Sequence, residues 1–275
     1  MHLKSEDCVR GKCSKVRLTG LAAASATGEK LPMFIVGKSK KPRCFNGLRN
    51  LPCRCRAQNK SWMDSQLFEE WVREQDRNFE CEGRKVALVV DNCPAHPDVA
   101  DLRVINLVFL PPNTTCKTQP MDQGVIKATK AYYHASVVRR YIDAVEKGKG
   151  APNISVLDAM TMLTRAWNKV MPESIKNCFK KAGICSEAQT IAINDLENPF
   201  AVLSEEIQSL REAYPEAVPT NVNADDVIGI DDAVSTSESG SLTDEEILAE
   251  FSSDQEAMEE DKETETYGKR SQIRN

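Results

Sequence analysis

The chain has 275 residues, 41% hydrophobic and 28% charged, which suits one domain with additional segments. No run of about 18 apolar residues is present, so no membrane-spanning helix is expected, and the opening MHLKSEDCVRGKCSK lacks the apolar stretch of a secretory signal. The net charge of −5 hides an asymmetry: residues 1–150 carry 26 Lys and Arg against 16 Asp and Glu, and residues 151–275 carry 10 against 25. A basic front implies a polyanionic partner, and an acidic rear implies a solvated tail.

In chain order, Val16 to Ser25 and Leu31 to Gly37 are short, apolar and β-prone. Ala26-Thr27-Gly28-Glu29 supplies a turn between them, which predicts an antiparallel hairpin. The next segment holds four cations, Lys38, Lys40, Lys41 and Arg43, and is expected to be an exposed basic loop. Ser61 to Glu82 has a helical apolar face through Trp62, Met63, Leu67, Phe68, Trp71, Val72 and Phe79, with Asp64 or Ser65 as cap and Gly83 as stop. KVALVV (85–90) and VINLVFL (104–110) read as strands buried on both faces. The prolines of Asn92-Cys93-Pro94-Ala95-His96-Pro97 make that segment a loop.

Pro120 suits the first position of a long helix to about Lys147. A further helical region runs from Ser155 to Lys181, interrupted at Pro172. Beyond about Asn194, acidic and small polar residues dominate and aromatics are scarce. Such a composition buries too little apolar surface to offset its ordering entropy. Residues 1–194 are therefore expected to form the folded domain and 195–275 a mostly disordered acidic tail, with one short helix at 242–251 capped by Thr243 and Glu246.

The ten cysteines are irregularly spaced and read as reduced thiols. Neither Cys53-Arg54-Cys55 nor Cys8…Cys13 has zinc-ribbon spacing, which argues against a structural zinc site. The tryptophans read as core residues rather than base-stacking platforms.

Two acids stand out. Asp91 ends a strand and so faces the crevice above the sheet. Asp122 falls in the first turn of a helix, where the macrodipole favours an anion. Two carboxylates in one crevice repel unless a cation lies between them, and Mg²⁺ accepts one or two carboxylates with water and phosphate oxygens. Two-metal phosphodiester chemistry requires about three such groups.

The segments VVDNCPAHPDV, LVFLPPNTT and TQPMDQGVIKATKAYY, with KVRLTGLAAASATGEKLPMFIVGKSKKPRCF and KSWMDSQLFEEW before them, resemble the DDE domain of Tigger/pogo-type transposases. The resemblance is collinear from about Leu3 to Gly183. It implies an α/β, RNase H-like mixed sheet flanked by helices and Mg²⁺- or Mn²⁺-dependent DNA strand cleavage and transfer. The family's second and third acids fall on Asp91 and Asp122. Its first acid and first, central strand lie upstream of the matching segment, as do its helix-turn-helix domains, so the chain is expected to hold two metal ligands and to be catalytically impaired.

Asn92, His96 and Gln123 neighbour the acids and are candidates to hold metal-bound water. Lys38, Lys40, Lys41 and Arg43, with Lys127, Lys130, Arg139 and Arg140, are candidates for phosphate contacts with DNA. A nuclear location and homo-oligomeric assembly go with the resemblance. Two alternatives stay open: an active strand transferase whose N-terminal part is missing, and a protein-interaction module acting through the acidic tail.

Overall fold

A computed structural model describes residues 17–112, 114–184, 198–215 and 218–231. The expected hairpin forms from β1 (Leu18–Leu21) and β2 (Phe34–Gly37), antiparallel with Leu21 opposite Phe34. Its turn is closed by the Ser25 N–H donating to the Glu29 carbonyl at 2.7 Å. Gly28 takes φ 88°, and a Cβ there would come within 2.7 Å of Pro172. Only glycine meets both demands.

A third strand, β3 (Arg54–Ala57), pairs parallel to β2. The sequence reading leaves this stretch outside any strand. Its RCRA composition carries no apolar alternation, and pairing with the fully buried β2 is what makes it extended.

Helix α1 (Ser65–Cys81) starts at Asp64, whose carboxylate accepts the Leu67 N–H at 2.9 Å. Phe68, Trp71, Val72 and Phe79 pack against Phe34 and Val36 of β2. Strands β4 (Val86–Val90) and β5 (Ile105–Phe109) form a second, parallel pair. The prediction that both are buried on two faces does not hold. Ala87, Asn106 and Val108 are exposed, and the strand buried throughout is β2.

The cause lies in the topology. Among the described residues the strands form two sheets, β1-β2-β3 and β4-β5, with no strand joining β1 to β4. Between them runs a groove of about 290 Å³, lined by the backbone from Leu21 to Ala26 on one side and by β4 on the other.

Asp76 fixes β5 to α1. Its buried carboxylate accepts the N–H groups of Arg103 (3.0 Å), Val104 (3.0 Å) and Ile105 (2.9 Å). Burial pushes its pKa up, but these three bonds and the Arg103 charge outweigh burial and lower it overall.

After the short helix α2 (Thr115–Thr118), the predicted long helix is broken. Residues Met121–Val125 form a π-helical turn containing Gly124 at φ 146°, and the regular helix α3 spans Ile126–Glu146. Helix α4 (Val156–Lys169) opens with a Ser155–Asp158 capping box, and Pro172 separates it from α5 (Pro172–Lys181). Lys30 Nζ donates to the carbonyls of Trp167, Asn168 and Val170 at 2.7–3.0 Å, tying the hairpin to the end of α4. Trp71 and Trp167 are core residues, as expected.

The boundary at 194 needs correction. Helices α6 (Pro199–Ala213) and α7 (Ala224–Ile228) pack on α3, burying Leu203, Ile207 and Ile228 against Ala131 and Ala135. The acidic composition hid an apolar stripe at helical spacing, Phe200, Leu203 and Ile207. The acids themselves face the bases of α3. The helix expected at 242–251 lies outside the described residues.

Candidate functional site

Asp91 follows the last residue of β4, where the Leu110 N–H donates to the Val90 carbonyl at 2.9 Å and holds the strand end in place. The chain then turns back on itself, with the His96 N–H donating to the Cys93 carbonyl at 2.9 Å. This turn hydrogen-bonds His96 Nδ1 to Asp91 Oδ1. The Phe68 ring of α1 lies 4.3 Å from the imidazole, centroid to centroid, and fixes its plane. His96 holds the Asp91 carboxyl below the usual carboxylate range, against the opposing effect of burial. The Cys93 thiol is pushed up, by burial first and then by the Asp91 charge.

Asp122 sits in the π turn, with its N–H donating to the Gln119 carbonyl at 3.1 Å. The residue is exposed over much of its surface. Even so, partial desolvation raises its pKa, and the charge of Asp91 raises it further. The two carboxylates are therefore within electrostatic reach of each other, though they come from segments separated by a strand and a helix.

Asp91, His96, Gln119 and Met121 line the groove between the two sheets. Gln119 Oε1 is buried there without a hydrogen-bond partner. An unpaired buried carbonyl oxygen in the same groove as Asp91 is a hard donor suited to Mg²⁺ or to a water molecule on it. The residues present thus fit a divalent cation.

The other candidate residues are distributed as follows. Asn92 is exposed beside Asp91. Gln123 is not brought to the acids in this way; it lines a separate cavity with Gly124, Tyr132 and Cys178. Lys38, Lys40, Lys41 and Arg43 are exposed at the end of β2. The four bases of α3 are engaged instead. Lys127 pairs with Asp225 and Lys130 with Asp231, both at 2.7 Å. Arg139 lies 3.7 Å from Glu206, and Arg140 lies 2.7 Å from Asp158. Phosphate contact by these four would require exchanging partners, because the rear of the chain neutralises this face.

Sequence reasoning missed two side chains of the site. Gln119 lies inside the segment TQPMDQGVIKATKAYY but is not singled out there, because nothing local marks its oxygen as unpaired. Cys93 enters the sequence reading only as part of the Asn92–Pro97 loop, with no cysteine close enough to pair with it.

The fold is a mixed α/β domain with one acid just after a strand end and a second on a helical turn. Residues 15–179 match the family model of the DDE superfamily endonuclease, and the chain belongs to that family. It is 32% identical over 256 residues to Tigger transposable element-derived protein 4 of Mus musculus, covering 93% of this chain and 49% of that protein. It is 31% identical to ARS-binding protein 1 of Schizosaccharomyces pombe over 92% of this chain and 50% of that one. It is 32% identical to major centromere autoantigen B of Homo sapiens over 61% and 28%. The chain thus spans about half the length, or less, of these relatives. No solved structure matches it.

Proposed function

We propose that this chain is a transposase-derived DNA-binding domain with an RNase H-like fold. In this reading Asp91 and Asp122 are two ligands of a Mg²⁺ or Mn²⁺ centre, and cutting activity is weak or lost. The observation that carries it is the match of residues 15–179 to the family, which takes in both acids; the orphan Gln119 oxygen shares a groove with Asp91. A bound cation would supply charge neutralisation at a phosphodiester; the carboxylates would hold it, and the exposed Lys38–Arg43 loop would hold the DNA backbone. In this reading the groove between β1 and β4 is where an RNase H-like sheet would carry a further strand. In this reading the donors gathered at Asp91 among the described residues, Cys93 and His96, differ from the carboxylates that a two-metal centre uses. A nuclear location suits this role, and self-association would suit the family's transposases.

Three measurements test the reading. Mn²⁺ titration followed by electron paramagnetic resonance should show binding that Asp91→Asn and Asp122→Asn each weaken. Plasmid nicking with Mg²⁺ or Mn²⁺ should be slight; robust nicking abolished by Asp91→Asn would overturn the impairment. DNA affinity should fall with salt, and replacing Lys38, Lys40 and Lys41 by alanine should reduce the slope of log K against log salt by up to about three. An unchanged slope removes that loop from the interface. The acidic-tail reading is narrower than the sequence suggests, because α6 and α7 pack on α3.

A further inference from the structure

Asp91, Cys93 and His96 bring a carboxylate oxygen, a thiol sulfur and an imidazole nitrogen to one half-buried turn, with all three donor atoms within 4.8 Å of one another. The donor set is not the one Mg²⁺ selects. Hard cations take oxygen, whereas a thiolate with an imidazole selects zinc and its spectroscopic substitute cobalt. The turn is also pre-shaped. Pro94 and Pro97 restrict its backbone, the His96 N–H to Cys93 carbonyl bond closes it, and Phe68 holds the imidazole from one side. A six-residue segment that already gathers three different ligands needs little ordering to chelate an ion.

We propose that Asp91, Cys93 and His96 form a binding site for a borderline transition-metal ion, Zn²⁺ or Co²⁺, distinct in chemistry from the Mg²⁺ centre and sharing only Asp91 with it. Three protein ligands leave one tetrahedral position for water, the pattern of open zinc sites. Binding releases the Cys93 proton to solvent and requires the ligating imidazole nitrogen to be unprotonated, in place of its present hydrogen bond to Asp91. Because Asp91 is shared, zinc at this site competes with Mg²⁺ or Mn²⁺ and acts as an inhibitory ion. The proposal stands on Cys93 and His96, and does not depend on whether the chain cuts DNA.

The test uses the full reduced chain. Co²⁺ should give visible d–d bands and a near-ultraviolet thiolate-to-cobalt charge-transfer band. Cys93→Ser should abolish the charge-transfer band, and His96→Gln should weaken Co²⁺ binding by more than about tenfold, the least that loss of even an outer-shell partner costs a metal site. Cys53→Ser/Cys55→Ser should keep the band. Asp122→Asn should leave the cobalt spectrum intact while weakening Mn²⁺ binding, which separates this site from the centre proposed above. On the unmodified sequence, Zn²⁺ but not Mg²⁺ should slow iodoacetamide alkylation of Cys93 relative to the exposed Cys81, mapped by mass spectrometry. Absence of a charge-transfer band, its survival in Cys93→Ser, or Cys93 alkylation at the same rate with and without Zn²⁺ would each overturn the proposal.

Discussion

Replacing Asp76 by alanine is expected to cost more stability than any other single carboxylate deletion in the described chain. Its side chain is 5% exposed and is the acceptor for three backbone N–H groups at the start of β5. Alanine leaves these donors without partners. Each buried donor so orphaned costs about 1–3 kcal/mol, and the Arg103 and Val104 groups can partly rehydrate because they lie nearer the surface. The sum is about 3–5 kcal/mol, a large share of the roughly 5–15 kcal/mol that holds a domain together. Urea denaturation followed by tryptophan fluorescence should show the midpoint fall with little change in slope. Asp76→Asn retains one oxygen acceptor and should cost less. The Asp76 pKa is lowered on folding, so its ionised form stabilises the domain fully above the ordinary carboxylate pKa. That stability is lost as pH falls through the lowered folded-state value, so wild type and Asp76→Asn should converge in acid. A loss below about 1 kcal/mol for Asp76→Ala at neutral pH would refute the reasoning, because three unpaired donors could not then have been left buried.

Gly124→Ala should destabilise by about 1–3 kcal/mol, since φ 146° is a conformation that side-chain-bearing residues rarely adopt. The nearest atom to an added Cβ is Cys178 Sγ at 3.4 Å, an ordinary contact. Adding Cys178→Ala should therefore not restore the melting temperature, and a full rescue would place the cost in packing instead. Leu203→Ala should cost about 2–5 kcal/mol, because the side chain is fully buried between α6 and α3. Limited proteolysis should then cut residues 198–231 faster; unchanged cleavage and stability would mean that α6 is not anchored by this residue.

Much of the local structure was legible in the sequence because its causes are local. The Ala26–Glu29 turn, the Asp64 cap and the break at Pro172 each follow from one or two residues whose backbone preferences act within a turn. The motif acids could be picked out for the same reason, since a strand end and a helix start are local addresses. Composition misled where it averaged over partners. Glu206, Asp225 and Asp231 of the acidic stretch after Asn194 pair with Arg139, Lys127 and Lys130, which lie far away in the chain. β3 is a strand because β2 offers it an edge.

The sequence by itself determined the order of β1, β2, α1, β4 and β5, the family motifs, and that Asp91 and Asp122 end a strand and start a helical turn. Only the tertiary structure decided that the charge of Asp91 raises the pKa of Asp122, that Cys93 and His96 gather at Asp91 with Gln119 in the same groove, and that the α3 bases are already paired. The physical reason is range. Backbone propensity and capping act over a few residues, whereas desolvation, Coulomb coupling and the availability of a charged group depend on what the folded chain brings within a few ångströms.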